Sequence, residues 1–416
     1  MSDFGIKVKD ESLVLSDIAV EENEKMVELH DWQRRAIKYF FDNDCNAIFE
    51  ASTGVGKTFF AIKVIQKILE KDPDAYILIV VPKNIILERT WFKELYDAGF
   101  SLRDIGVYYG SIKEYSKITI TNMQSLDKIA LDMFDMVCWD EAHNYCTRRL
   151  WKYIKYPFKY RLALTATLER MDNEHYTLMK YFDFNVFKYS PKQALMDGVL
   201  NPFNFTNIGI EMDALSYDKY TKLTEDFNLI LQIGGGFSRI MRTPGPTKNQ
   251  MLAKMNERKQ LVLNYPKKFD VASQICGLHK EDKIIIFNQY NEQTSACYWH
   301  LLEAGFSSRV MHSGISKNKR DENLTDFKND KYNILCTSKV LDEGYNLPKI
   351  DTAIIMAGDS GQRQSIQRMG RVLRKKDKIS SLYQVYVKRT MEEGYAFKRA
   401  KMFKELSNEY QDIDFN

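Results

Sequence analysis

Cysteine, histidine and proline are scarce in this chain of 416 residues, which holds 6, 6 and 9 of them. The cysteines (Cys45, Cys138, Cys146, Cys276, Cys297 and Cys336) are scattered, with no CxxC pair and no histidines nearby at metal-ligand spacing. That pattern excludes a zinc ribbon or a disulfide framework and leaves ordinary buried thiols in a reducing cytoplasm as the expectation. Nowhere do about 18 uncharged apolar residues run together, the length a membrane span needs. Residues 1–14 lack a basic stretch leading into an apolar one, so neither export by that route nor membrane insertion is expected. An excess of one charge sign is missing too. With 60 basic and 56 acidic side chains the formal charge is +4, so a polyanion would have to be held by local patches rather than by the global field.

What is present is apolar material, 44% of the chain, with 13% aromatic residues, enough to bury sizeable cores. The length suits two domains of common size. Residues 1–28 lean acidic and read as a short extension. From Leu29, short apolar runs alternate with amphipathic helices: Ala47 to Phe49, Ile77 to Val81, Met136 to Trp139 and Arg161 to Thr165 look like buried strands. A second series follows at Ile284 to Phe287, Val310 to His312, Ile334 to Thr337, Thr352 to Met356 and Leu382 to Val387. Such alternation predicts α/β domains with mainly parallel sheets covered by helices. The expected division is an extension over 1–28, a first domain over 29–190, a join and basic helical segment over 191–270, and a second domain over 271–416 ending in a helix. Within the basic segment, Gly234-Gly-Gly236 precedes Arg239, Arg242, Lys248, Lys254, Arg258, Lys259, Lys267 and Lys268, against the one acid Glu257. A solvated helical face is the expected reading, with a nucleic-acid contact as the alternative.

After the strand ending near Glu50 comes Ala51-Ser52-Thr53-Gly54-Val55-Gly56-Lys57-Thr58, followed at once by a helix. Glycines let several backbone N–H groups turn inward on a polyphosphate, which also sits at the positive end of the helix dipole. Lys57 would offset the charge of the outer phosphates and the Thr58 hydroxyl would ligate Mg²⁺. A lysine at a helix N-terminus is otherwise disfavoured by the dipole. Downstream, Met136 to Trp139 leads into Asp140-Glu141-Ala142-His143, placing two carboxylates at the carboxyl end of a parallel strand, the edge where open α/β sheets bind ligands. Asp140 would hold Mg²⁺ through water, and Glu141 would orient or deprotonate the attacking water. In Gln367-Arg368-Met369-Gly370-Arg371-Val372-Leu373-Arg374 the arginines repeat along one helical face, where like charges repel unless an anion lies before them.

The tetrad Asp140-Glu-Ala-His143 and the strand end Leu164-Thr165-Ala166-Thr167 resemble motifs of the superfamily 2 DEAH-box helicases. Ala51 at the first position of the phosphate loop is a departure those helicases commonly show. The resemblance covers roughly residues 29–390. It implies two tandem RecA-like domains with the ATP site in the cleft between them, ATP and Mg²⁺ as cofactors, and DNA or RNA as partner. Leu29-His-Asp-Trp-Gln33 is similar to the motif that reads the adenine edge through its glutamine. Gln33, Thr53, Gly54, Val55, Gly56, Lys57, Thr58, Asp342 and Gly344 would then bind the nucleotide. Lys57, Asp140, Glu141, Gln367, Arg371 and Arg374 would carry catalysis, Arg371 and Arg374 reaching across the cleft as arginine fingers. Pro82, Lys83, Thr121, Gln124 and Thr337 are the implied nucleic-acid contacts, and His143, Thr165 and Thr167 the coupling residues between hydrolysis and movement.

Within the superfamily, Gln-Arg-x-Gly-Arg-x-x-Arg and Asp342-Glu-Gly344 look more like DNA repair and recombination motors than RNA helicases. XPB-like repair helicases and phage UvsW-type branch-migration helicases are the families named by that pattern. Where XPB proteins carry Arg-Glu-Asp, this chain reads Arg170-Met171-Asp172. The expectation is a monomeric cytoplasmic DNA helicase or translocase, in a host cytoplasm if phage-encoded, acting on branched or forked DNA without a membrane partner. An RNA helicase and the motor subunit of a restriction-type complex are the alternatives.

Overall fold

The computed structural model describes residues 28–82, 90–170, 172–338, 347–357, 370, 373 and 376–415. Two sheets dominate it. The first has eight strands: β1 (Asn46–Ala51), β2 (Ile77–Val81), β3 (Ile105–Tyr109), β4 (Ile112–Lys113), β5 (Ile118–Asn122), β6 (Met136–Trp139), β7 (Tyr160–Thr165) and β8 (Val186–Tyr189). Their order is β4-β3-β5-β2-β6-β7-β1-β8, parallel throughout except for the β3–β4 pair. Strands β2 and β6 are buried at every residue, as the near-continuous apolar runs of a sheet covered on both faces require. Helices Asp31–Asp42 and Lys57–Lys71 pack beside β1, the second through Phe60, Ala61, Val64, Ile65 and Ile68, the apolar stripe of a 3.6-residue repeat.

The second sheet has seven strands: β9 (Phe203–Ile210), β10 (Ile284–Phe287), β11 (Ser308–Met311), β12 (Ile334–Thr337), β13 (Thr352–Ile355), β14 (Ser380–Val387) and β15 (Glu409–Phe415). The order is β11-β12-β10-β13-β14-β9-β15, with every neighbouring pair parallel. Two of these strands correct the expected division. Residues 203–210, assigned to the join, form β9 of the second sheet, paired between β14 and the edge strand β15, so that domain begins well before residue 271. The chain also ends in an edge strand after the helix Met391–Leu406 rather than in the helix itself. Both escape a search for apolar runs because Asn204, Thr206 and Asn207 interrupt β9, and β15 is a polar, largely exposed edge.

The join is therefore short and packed. Ser190 caps the helix Pro191–Met196 by accepting the Gln193 N–H, and Leu200 and Phe203 are buried in an apolar cluster running from Trp32 in the first domain to Phe403 in the second. Between β9 and β10, helices Ala214–Ile233 and Pro246–Leu263 lie against each other as a hairpin. Its tip is Gly234-Gly-Gly236 and the short helix Phe237–Arg242, and positive φ at Gly235 and Gly236 supplies the reversal. Of the basic residues in this segment, Lys268 is buried and bonded to the Glu392 carboxylate at 2.7 Å, and Lys254 pairs with Asp226 and Glu257. Arg239 and Arg242 remain exposed at the tip.

Candidate functional site

β1 ends at Ala51 and the helix starts at Lys57, so the five residues between form a tight loop at the carboxyl edge of the sheet. Gly54 and Gly56 both have φ of +87°, a region L side chains rarely adopt. Space makes the same demand: a Cβ on Gly56 would stand 2.9 Å from the Gln33 amide nitrogen. That amide donates to the Gly56 carbonyl at 3.1 Å, and the Gln33 side-chain oxygen accepts the His30 N–H at 2.9 Å. Gln33 thus ties the first helix to the phosphate loop, beside Trp32, whose ring stacks on Tyr189 with centroids 4.9 Å apart. The Lys57 ammonium lies across the loop, donating to the carbonyls of Ala51 at 2.9 Å and Ser52 at 3.2 Å. Thr58 follows in the first turn of the helix.

A polyphosphate with its divalent cation fits this donor set. Left-handed glycines allow the loop to turn its amides toward an anion, Lys57 and Thr58 open the helix, and Thr53 Oγ1 is buried with no hydrogen-bond partner. No cluster of three or more histidine, cysteine, aspartate or glutamate side chains suited to a metal occurs among the described residues, so a cation here would depend on Thr58, Asp140 and the phosphates themselves.

Strand order brings the acids to the same edge. β7 lies between β1 and β6, so the phosphate loop, Thr165 and Asp140 emerge side by side. Asp140 is 9% exposed; its Oδ1 accepts the Glu141 N–H at 2.9 Å and its Oδ2 accepts the Trp91 indole N–H at 2.9 Å. Burial pushes this carboxyl above its ordinary range, against the Trp91 indole, the Lys57 ammonium and the Glu141 amide, which favour the charged form. Glu141 has φ 49° and ψ 53°, left-handed backbone at a non-glycine residue, a strain that clusters at functional sites. His143 Nδ1 lies 3.0 Å from Thr165 Oγ1 and 3.4 Å from the Glu141 carboxylate. Thr165 in turn donates to the Thr167 carbonyl at 2.8 Å and accepts the Thr167 N–H at 3.2 Å. Arg170 donates to the His143 carbonyl at 2.6 Å while its other nitrogens grip Asp172. The acidic tetrad and the Thr-Ala-Thr strand end therefore form one continuous polar network.

The second domain meets this loop through glycine. Gly370 is buried, and a Cβ added to it would collide with the Thr53 carbonyl; one added to Gly54 would collide with the Gly370 carbonyl. Backbone touches backbone there. Gln367, Arg371, Arg374, Asp342 and Gly344 lie outside the described residues, as does Lys83.

The remaining sequence-derived contacts are distributed unevenly. Pro82 directly follows β2 and is buried, Gln124 is exposed, and Thr121 and Thr337 are fully buried. Thr121 Oγ1 donates to the Tyr108 carbonyl at 2.8 Å, and Thr337 Oγ1 lies 3.1 Å from the Met311 carbonyl and 3.0 Å from that of Ser338, so both hydroxyls face protein backbone. Two groups were not singled out from the sequence. Trp91 is one; no local spacing links it to an aspartate 49 positions later. The other is a polar cluster at the carboxyl edge of the second sheet, where Asn291 bonds Ser313 and Ser338, and His312 bonds Ser295. His312 stood at the end of an expected strand, but Asn291 and Ser295 come from a helix with no such signal.

Comparison with known proteins bears on both domains. Residues 26–170 match the family described as type III restriction enzyme, res subunit, and residues 267–376 match the helicase conserved C-terminal domain. The DNA 3'-5' translocase XPB2 of Sulfurisphaera tokodaii is 27% identical over 399 residues, 90% of this chain and 87% of that protein. A protein named putative DNA 3'-5' helicase Rad25 from Halobacterium salinarum is 24% identical over 385 residues, 89% of this chain and 55% of its own length. In fold, Dbp5 of S. cerevisiae bound to RNA and ADP BeF3 superposes with a TM-score of 0.63 at 16% identity, covering 94% of this chain and 91% of that one.

Proposed function

From a chain that is a superfamily 2 helicase resembling the XPB-like repair helicases, we propose an ATP-driven motor that moves along DNA and unwinds or remodels branched or forked structures. The observation that carries this reading is the pairing of a phosphate loop and two acids in one domain with Gly370 of the other pressed onto Thr53. A site built in halves makes hydrolysis a matter of how the domains meet. Gln33 would read the adenine, the amides of Thr53 to Thr58 and the Lys57 ammonium would hold the phosphates, and Thr58 and Asp140 would hold Mg²⁺. The metal, when bound, would offset charge on the phosphates. Glu141 would orient and deprotonate water, with His143 fixing its carboxylate and passing any displacement to Thr165 and Thr167. Arg371 and Arg374 would complete the site from the second domain.

DNA as the track follows from the relatives named for DNA, and largely phosphate-directed grip predicts sequence-independent, salt-sensitive movement. The hairpin tip is the candidate for parting strands. There, Ile233 is 76% and Phe237 47% exposed beside Arg239 and Arg242, an apolar edge flanked by phosphate-seeking charge. Phosphate release measured with forked DNA, four-way junctions and RNA duplexes tests the reading. Branched DNA should stimulate most, and stimulation by RNA alone would overturn the DNA track. Glu141→Gln should keep nucleotide binding and lower hydrolysis at least about 100-fold; equal rates in variant and wild type would mean an ATP-binding clamp instead. The restriction-family match of residues 26–170 favours one second reading, a motor subunit that works only with partner chains. Unwinding by the isolated chain would exclude it.

A further inference from the structure

We propose that Trp91 is a positioning residue for Asp140, holding the carboxylate in the orientation from which it takes up the nucleotide's divalent cation. The inference rests on the ATPase reading and deepens it. Trp91 immediately precedes the helix Phe92–Asp97, is 0% exposed, and belongs to the apolar cluster that runs through both domains, so its ring is fixed by packing. Its single polar atom is spent on Asp140 Oδ2 at 2.9 Å. Indole is a donor only, and its N–H cannot swing as a hydroxyl can.

The geometry divides the carboxylate. Oδ1 takes the Glu141 amide and Oδ2 takes the indole, one donor on each oxygen, which locks the plane of the group. A carboxylate oxygen has room for two partners, so both oxygens keep a lone pair for a cation or its water. Were Trp91 absent, a carboxylate this buried would have one fixed oxygen and could turn about its own axis. A partner outside the ligand set that orients the ligand is worth about 10–100-fold in metal affinity at well-studied sites. The effect belongs to the metal-dependent part of binding. Contacts of the loop amides and Lys57 with the phosphates do not pass through Trp91.

Trp91→Phe removes the donor and keeps most of the ring. Binding of a fluorescent ATP analogue is measured in chelator and across a Mg²⁺ titration. Affinity in chelator should match the wild type, whereas the Mg²⁺ concentration for half-maximal tightening should rise about tenfold. An unchanged Mg²⁺ requirement in a folded variant overturns the proposal while leaving the ATPase reading intact; absence of nucleotide binding in the wild type overturns both. Should Trp91→Phe fail to fold, the indole ¹⁵N–¹H resonances of the five tryptophans decide the matter. One of them should move when Mg²⁺ is added with ADP, and in Asp140→Asn it should be displaced and no longer respond to Mg²⁺. Five indifferent resonances overturn the proposal.

Discussion

Asp282 shows how a single carboxylate is used when it is not part of the nucleotide site. It sits between β10 and the helix Pro266–Leu278, 3% exposed, and collects the Thr352 hydroxyl at 2.7 Å, the His279 ring at 2.8 Å and the Lys378 ammonium. Burial alone would raise its pKa, but these three bonds together pull it below the ordinary value. A carboxyl with a depressed folded pKa stabilises the fold above its unfolded pKa, near 4, and loses that contribution as the pH falls through the lower folded value. Asp282→Asn should therefore cost about 2 kcal/mol in urea unfolding at neutral pH. The deficit should shrink as the pH drops from about 4 toward 3. A constant deficit across that range would mean that shape, not charge, is what Asp282 supplies. The strained backbone at Glu141 belongs to the same scale: a left-handed residue held by its neighbours is costly, and it stands at the end of β6, where the proposed function has its carboxylate orient water.

Among the elements, the hairpin of Ala214–Ile233 and Pro246–Leu263 departs furthest from a structural role. Away from its tip the basic run has partners: Lys254 is ion-paired, Arg258 lies over the Phe227 ring at 4.6 Å, and Lys268, on the following helix Pro266–Leu278, is buried on Glu392. Those residues fit the solvated or structural reading of the basic run. At the tip, Arg239 and Arg242 are exposed beside uncovered Ile233 and Phe237, the arrangement on which the proposed strand-parting role rests. Reversing Arg239, Arg242 and Lys248 to glutamate should weaken DNA binding and flatten its dependence on salt, by about 0.9 in the log–log slope for each phosphate no longer neutralised. Filter binding between low and physiological salt measures this. An unchanged slope would return the whole segment to the solvated face.

For the whole molecule, the decisive meeting is glycine on glycine across the domains. Gly370→Ala would drive a methyl group against the Thr53 carbonyl, a backbone atom that cannot yield as a side chain would. The cleft should then close less far, and hydrolysis should fall about 100-fold, the scale of a misplacement of about 1 Å at a reacting centre. Nucleotide binding to the phosphate loop should persist. Wild-type turnover in Gly370→Ala would show that hydrolysis does not need the two backbones to touch. The loop from Ala51 to Thr58, the acids Asp140 and Glu141 and most of the central strands were legible from sequence, because each is a local affair: an apolar run, a turn and a helix within a few residues. No local pattern announced β9 or β15, since a strand lying in mixed company or at an edge need not be apolar. Strand order was equally silent, and it is the insertion of β7 between β1 and β6 that sets Thr165 between the loop and Asp140. Sequence by itself determined which groups gather at the carboxyl edge of the first sheet, the loop from Ala51 to Thr58 and the acids Asp140 and Glu141. Only the tertiary structure decided what holds them, Trp91 on Asp140, Gln33 on Gly56 and Gly370 on Thr53, because those partners lie tens to hundreds of positions apart and meet through packing alone.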